Sequence, residues 1–351
     1  MATVPGCYRL LLLCSGPGRG GLSYQSCLIK SYPLCRFSTT QNSNSLFSGI
    51  VTKAKHMNER YEQFLQRKFP RFYLLYSTFM KGFRLLLSDA KEVGQIKVKM
   101  AKQDLQFHEL SYREMEKVRQ FRRNILKAAP VVLISIPPFA NYLVFLLMYL
   151  FPRQLLIPHF WTPTQHTKFL AMYHRMRTED YPEILNGIAQ AVPQAPERTT
   201  RYQMHRLLAK IQNSSHPEIA ELQEVAPLFS ESPLCLAHLS TSQMKALSRV
   251  MFLTPYFPSF ILRRRLRSHT YELHQLDTAL LKLGVKELSD EELRMACYIR
   301  GLNSTNLSPA ECRPWLTQWL QLSDKLKESE ASLLLHSMVL LSTNYLHSIK
   351  H

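Results

Sequence analysis

The chain has 351 residues and a formal net charge of +18, but this charge is distributed unevenly. Residues 1–128 hold 22 Lys and Arg against 8 Asp and Glu, whereas the remaining residues hold 22 against 18. A strongly basic C-terminal surface is therefore not expected, and DNA is not an expected partner. The length allows one globular domain together with targeting and membrane segments.

Residues 1–37 are predicted to be a mitochondrial transit peptide. No Asp or Glu precedes Glu59, and a Ser/Thr-rich stretch covers residues 38–48. This basic, acid-poor composition is typical of mitochondrial import signals. Arg36-Phe37-Ser38 resembles a matrix-protease cleavage site. The alternative is a secretory signal at residues 10–13, whose apolar core is shorter than such signals use.

Residues 38–128 are predicted to form basic, aromatic-rich helices. In residues 64–84, Phe and Tyr alternate with Arg and Lys. Such a segment suits a membrane interface, and an ordinary helix packed on the rest of the protein is an equal alternative. A second membrane span at residues 69–87 is the weaker alternative, because it would bury three cations.

Residues 129–151 are predicted to form a transmembrane helix. Residues 130–151 contain no charged side chain across 22 positions, which matches the roughly 20 residues that a bilayer-spanning helix needs. Pro137 and Pro138 are expected to kink this helix, since proline removes a backbone donor. Asn141, one turn further on, is the polar position beside the kink; it could pair with freed carbonyls, dimerise the helix or simply be tolerated.

Residues 152–180 are predicted to form a linker and a helix, with Thr162 as the N-cap before Pro163. Residues 181–351 are predicted to form a helical domain. Tyr181-Pro182-Glu183-Ile184 and His216-Pro217-Glu218-Ile219 recur 35 residues apart, which indicates either a repeated helix pair or a coincidence.

The end of the domain carries clear helix signals. Ser289 and Glu292 form a capping box, and the helix that follows should end at Arg300, where Gly301 supplies a left-handed stop. Tryptophans and leucines at 315–322 form an apolar face, and residues 331–346 are predicted to be a core helix. Since no alternating strand pattern occurs, the predicted fold class is all-α.

Motifs for common catalytic chemistry are absent from the sequence. There is no glycine-rich phosphate loop, no HExxH and no Gly-x-Ser-x-Gly, so an enzyme is not expected and no cofactor or metal is predicted. His269 and His274 near Glu272 give only weak metal spacing. The arginine run at residues 263–267 suits a solvated helix face that binds acidic partners, with RNA contact or a nuclear signal as alternatives.

Two stretches resemble the LETM family of mitochondrial inner-membrane proteins. The first runs from Leu110-Ser111-Tyr112-Arg113-Glu114 through Ile136-Pro137-Pro138-Phe139 to Leu150-Phe151-Pro152, and is similar to that family's membrane block. The second is similar to its C-terminal ribosome-binding-like domain. The residues that match this domain motif and serve as candidate site residues are Leu293, Cys297, Arg300, Gly301, Arg313, Trp319 and Leu320.

The resemblance implies an inner-membrane protein with a single transmembrane helix and a helical LETM domain in the matrix. Family members are tied to exchange of potassium or calcium against protons, to cristae shape and to mitochondrial ribosomes. Two departures are expected: a coiled-coil tail and EF-hand are missing, and Asn141 stands where larger relatives carry a carboxylate. Because asparagine cannot titrate, a self-sufficient proton exchanger is doubtful.

Three functions follow as hypotheses. The first is a non-enzymatic protein that supports mitochondrial structure and respiration through a matrix-facing binding domain. The second is a component of cation/proton exchange, with several copies lining a path, and the third is a mitochondrial ribosome docking factor. Expected partners are anionic inner-membrane lipids, other inner-membrane proteins, the mitochondrial ribosome and further copies of the chain.

Orientation and location have alternatives. Residues 110–129 carry six Lys and Arg and residues 152–171 carry two, which by the positive-inside rule would place the N-terminal side in the matrix. The family pattern places the C-terminal domain there instead, and that orientation is preferred. Alternative locations are the outer membrane and a minor nuclear pool.

Overall fold

The computed structural model describes residues 66–67, 70–135 and 157–345, all within the unit Leu65–His351. The predicted transit peptide, Pro137, Pro138, Asn141 and the rest of residues 136–156 lie outside the described residues. Within the described ranges the secondary structure is helical without any strand, which confirms the all-α prediction. The α-helices are α1 (Pro70–Gln103), α2 (Tyr112–Ser135), α3 (Pro163–Thr178), α4 (Tyr181–Ala191), α5 (Arg198–Gln212), α6 (Ile219–Glu224), α7 (Pro227–Ser230), α8 (Thr241–Val250), α9 (Ser259–Leu283), α10 (Asp290–Ile299), α11 (Pro309–Lys325) and α12 (Ala331–Leu340).

In residues 66–67, 70–135 and 157–345, no helix is both long and apolar enough to cross a bilayer. This includes α1, which contains most of the alternative second span. Instead, α1 pairs with α2: Lys99 contacts Glu114, and Leu86 and Ala128 both pack against Ile157 and Phe160. The described part of α1 therefore packs on the rest of the protein, and the membrane-interface alternative stays a prediction.

One continuous apolar core extends from Leu110 to Tyr345. It includes Tyr112 and Met115 of α2, which are 5% and 0% exposed, together with the inner faces of α4, α5 and α8 to α12. The core thus contains residues on both sides of the predicted boundary at 181. Consequently α2 belongs to the packed domain through its first turns.

The predicted helix ends agree with the structure where capping chemistry is strong. The Thr162 side chain accepts a hydrogen bond from the amide of Gln165, and Ser289 accepts one from that of Glu292. Helix α10 ends at Ile299, and Gly301 follows with φ +116°. Side-chain capping of otherwise unpaired amides fixes these boundaries.

Two expectations differ from the structure. The two copies of the recurring motif lie at different positions relative to their helices. Helix α4 begins at Tyr181, the first residue of one copy. Helix α6 begins at Ile219, the last residue of the other copy, and Glu218 is its N-cap. The two copies are therefore not one repeated unit. Helix α12 ends at Leu340 rather than at residue 346, and turns follow to residue 345.

Candidate functional site

The candidate motif residues lie where α10 and α11 pack together. Leu293, Cys297 and Arg300 are buried on α10 and at its end, and Trp319 and Leu320 are buried on α11. Arg313, also of the set, is half-buried on α11 and lies 3.9 Å from Asp290. The structure thus brings most of the set together inside the core.

A buried carboxylate, Asp277 of α9, joins three of the surrounding side chains. Its Oδ1 accepts hydrogen bonds from Arg300 Nε at 2.7 Å and is 2.6 Å from Arg300 Nη2. Its Oδ2 accepts from Trp319 Nε1 at 2.9 Å and from Ser323 Oγ at 2.7 Å. Asp277 and Arg300 are each 1% exposed. We call Asp277, Arg300, Trp319 and Ser323 the Asp277 cluster.

The charges of the Asp277 cluster compensate each other. Arg300 Nη1 also donates to the carbonyl of Ala296 at 2.7 Å. Although burial opposes it, Asp277 raises the pKa of Arg300 above its usual value, so this guanidinium stays charged. Because both carboxylate oxygens are occupied by protein donors, the cluster holds three helices together.

Gly301 brings the end of α10 against α12. An added Cβ would lie 2.6 Å from the carbonyl oxygen of Met338, and the φ of +116° is one that L side chains rarely adopt. Only glycine therefore fits here. Nearby, the thiols of Cys297 and Cys312 are free and fully buried, so both side chains serve as small apolar fillers of the core.

A second buried cation, Arg177 at the end of α3, is bound without a carboxylate. Its Nε donates to the carbonyl of Val250 at 2.9 Å and its Nη1 to that of Tyr298 at 3.0 Å. These carbonyls lie in the last turns of α8 and α10, where helix dipoles favour a positive charge. The guanidinium also lies 4.5 Å from the ring centroid of Phe252. Arg177 therefore fixes α3 to the ends of two helices.

Basic side chains of α2 attach this helix to α9 and α10. Arg113 Nε donates to Glu292 at 2.9 Å, and Arg122 Nη2 donates to Glu272 at 2.6 Å. Arg123 lies 3.5 Å from the ring of His269. Together with the buried Met115, these contacts hold the first half of α2 on the domain. The last residues of α2, 130–135, belong to the predicted span.

The electrostatics of this contact keep His269 neutral. Burial, with Arg123 and Arg119 nearby, lowers the pKa of His269 well below its usual value. Burial and Arg119 also lower the pKa of Arg123, to about 10, which still leaves it charged at neutral pH. The neutral imidazole can therefore accept from the charged Arg123.

The weak metal spacing noted in the sequence does not form a site. His269 is directed at Arg123, whereas His274 Nδ1 lies 3.3 Å from Ser323 Oγ. Among the described residues, no three His, Cys, Asp or Glu side chains are grouped to hold a metal ion.

An open groove of about 410 Å³ lies between α1 and α2. It is lined by charged side chains that already contact each other: Lys99 contacts Glu114, and Lys117 contacts Glu92. Further along, the ring of His159 contacts Asp89 at 2.6 Å, which fixes the segment after the predicted span to α1. The groove is thus part of the α1–α2 contact.

Trp161 marks the chain's return from the predicted span. Lys127 of α2 lies 5.0 Å from its ring centroid, and the rings of Phe169 and Tyr173 lie at 5.0 and 6.5 Å. The helix that leads to the predicted span is therefore in contact with the segment that follows it. The two ends of residues 136–156 thus lie together, which does not agree with a single crossing of a bilayer about 30 Å thick.

Comparison with known proteins decides the family. The "LETM1-like, RBD" family matches residues 110–340, which include α2 and nearly all of the core that it joins. The chain belongs to the LETM1-like RBD family.

Relatives from other organisms support this membership. A Xenopus tropicalis protein named LETM1 domain-containing protein 1 is 62% identical over 333 residues, 95% of each chain. The human protein of that name is 50% identical, over 94% of this chain and 91% of its own. A Drosophila melanogaster protein named mitochondrial proton/calcium exchanger protein is 27% identical, over 74% of this chain and 26% of its own.

Sequence reasoning missed Asp277 and Arg177. A charged residue on a helix is usually solvated, so neither was singled out. For Asp277 a signal was present: Leu273, Leu276 and Leu280 place it within an apolar helical stripe. Arg177 lies near a helix C-terminus, where basic residues are common because they interact favourably with the helix dipole. Its position in the sequence therefore gave no indication that the side chain is buried.

Proposed function

We propose that this LETM-family chain is a non-enzymatic mitochondrial inner-membrane protein that supports mitochondrial structure and respiration. Its helical domain faces the matrix and binds inner-membrane or ribosomal partners there. The acid-poor leader and a relative whose name contains "mitochondrial" support this location.

The observation that carries the proposal is the continuity of α2. This helix extends without a break from Tyr112, in the domain core, to Ser135, inside the proposed span. A continuous helix rises about 1.5 Å per residue and transmits position along its length. It would thus hold the domain at a fixed distance from the bilayer and in one orientation, which is what an organising protein needs.

A flexible insertion tests this rigid connection. Gly-Ser-Gly-Ser would be inserted after Ile125, which is 41% exposed and lies between the docked half of α2 and the proposed span. The matched control places the same insertion after the exposed Pro196, between α4 and α5. Oxygen consumption and cristae shape would be measured in cells that lack the endogenous protein.

We expect wild type and the Pro196 insertion to restore both properties and the Ile125 insertion to restore neither, with all three proteins at equal levels in the membrane fraction. Equal rescue by the two insertions would contradict the proposal. Asn141→Ala should also restore both properties, because this proposal gives residue 141 no proton to carry.

The alternative function is a component of cation/proton exchange, and the name of the Drosophila relative favours it. Purified chain in liposomes under a pH gradient distinguishes the two. Movement of potassium or calcium that Asn141→Ala abolishes would support the exchanger. Absence of flux, together with rescue of respiration, would support the organising role.

A further inference from the structure

The loop between α8 and α9, together with the first turn of α9, exposes four aromatic side chains. Tyr256 is 90% exposed and Phe260 67%, while Phe252 and Phe257 each expose 40%. Single exposed apolar residues are ordinary, but four within nine residues form a patch that calls for a partner. We name residues 252–260 the aromatic loop.

The base of the aromatic loop is firmly held. Phe252 adopts a φ of +55°, which is uncommon for a residue other than glycine, asparagine or aspartate. Its ring lies 4.5 Å from Arg177 and stacks on Tyr298 at 6.3 Å. The loop therefore presents its outer side chains from a fixed base.

Cations border the aromatic loop. The first turns of α9 carry Arg264 and Arg267, both exposed. Arg265 lies 5.0 Å from the Phe257 ring, and Arg263 donates to the carbonyl of Leu236 at 3.0 Å. Exposed aromatics beside arginines are the side chains that enter the headgroup region of an anionic bilayer.

The direction of α9 brings this loop towards the proposed membrane side. Arg123 of α2 lies beside His269. Ten residues earlier on α2, Arg113 donates to the carbonyl of Glu287, which follows the C-terminal end of α9. Helices α2 and α9 are therefore antiparallel. Helix α9 begins about 15 Å before His269, and α2 ends about 18 Å after Arg123. Because the helices are antiparallel, both of these ends lie on the same side of the Arg123–His269 contact.

Ring contacts give an independent route to the same location. Trp161, which follows the proposed span, stacks on Tyr173 at 6.5 Å, and Tyr173 meets Phe252 edge to face at 5.7 Å. Lys127, two residues before that span, lies over Trp161. Two ring contacts thus connect the exit of the span to the base of the aromatic loop.

We propose that the aromatic loop docks on the anionic surface of the bilayer into which residues 130–151 insert. Tyr256 and Phe260 enter the headgroup region, and Arg264 and Arg267 bind lipid phosphates. This inference rests on the membrane location under the proposed function. It adds a second attachment point, which would fix the face that the domain turns towards the membrane.

Photo-cross-linking of the full chain in liposomes tests the docking. Benzoylphenylalanine would replace Tyr256 in one sample and Tyr202, 71% exposed on α5, in the matched control. The vesicles would contain alkyne-tagged phosphatidylglycerol, and carbonate extraction would report insertion separately. A third sample would carry Arg264→Glu and Arg267→Glu together with the label at 256.

We expect position 256 to cross-link several-fold more lipid than position 202, and the double charge reversal or zwitterionic vesicles to remove that excess. Equal lipid cross-linking at 256 and 202 in carbonate-resistant chain would overturn the docking and leave the membrane anchor intact. Chain extracted by carbonate would overturn both. In mitochondria, cross-links from position 256 to protein rather than lipid would also overturn the docking.

Discussion

Asp277 and Arg300 form an ion pair in which each side chain is only 1% exposed, and the atoms approach to 2.6 Å. The pair lies between α9 and α10, and Trp319 and Ser323 of α11 complete it. A buried charge is tolerated when its partner and hydrogen bonds are in place, and it is costly when one partner is removed. Arg300 and Trp319, singled out from the sequence as site residues, thus have a structural role in the Asp277 cluster.

Asp277→Asn should destabilise the domain strongly. The amide leaves the Arg300 guanidinium buried without a countercharge, and breaking such a pair costs about 3–5 kcal/mol. Chemical denaturation followed by circular dichroism measures this loss of unfolding free energy.

A double-mutant cycle provides the control. Because removing both charges leaves neither uncompensated, Asp277→Leu with Arg300→Met should be more stable than either single variant. Additive effects of the two single substitutions would show that the pair is not coupled and would contradict the assignment.

Gly301→Ala should cost more than about 2 kcal/mol, because the new Cβ meets the Met338 carbonyl at a φ that strains L residues. Gly94→Ala, in the interior of α1 with nothing within 4 Å, is the matched control. It should be neutral or stabilise by up to about 1 kcal/mol, since alanine favours the helix. Similar melting temperatures for the two variants would refute the close contact.

Acidification should destabilise the domain through His336. Burial lowers the pKa of this fully buried histidine to about 4, below the ordinary value of 6.5. The unfolded chain therefore binds a proton between these values while the folded chain does not. The stabilisation that neutral His336 provides is complete above about pH 6.5 and is lost as the pH falls towards 4. Between pH 7 and 5 the free energy of unfolding should fall by roughly 2 kcal/mol.

His336→Asn tests this pH dependence. The asparagine amide can replace the donor that His336 Nδ1 directs at the Ser332 carbonyl, but it cannot titrate. We expect a smaller loss of unfolding free energy between pH 7 and 5 in this variant than in wild type. His205→Asn, at an exposed position on α5, should behave as wild type does. Parallel curves for wild type and His336→Asn would exclude the role of His336.

The sequence predicted those features that depend on local chemistry. The caps at Thr162 and Ser289, the stop at Gly301 and the apolar face with Trp315 and Trp319 all follow from spacing within one or two helical turns, and the structure contains them. Features that depend on partners far along the chain were not predicted. Asp277 is explained only by residues 23 and 42 positions later.

The packing of α2 shows the same limit. The amino-acid composition distinguished residues 38–128 from the rest of the chain as a basic segment. Only the fold shows that Met115 is fully buried and that Arg113 and Arg122 contact acidic residues more than 100 positions away. The roles predicted for Pro137, Pro138 and Asn141 stay predictions, since these residues lie outside the described ranges.

The central claim, a domain held in the matrix by a helix that begins in its core, is tested most directly by protease protection. A tag would follow His351, and intact mitochondria would be compared with mitoplasts whose outer membrane is ruptured. We predict that the tag survives protease in both and is cut only after detergent is added. A tag cut in mitoplasts would place the domain in the intermembrane space, and one cut in intact mitochondria would place it on the outer membrane; either result would contradict the account.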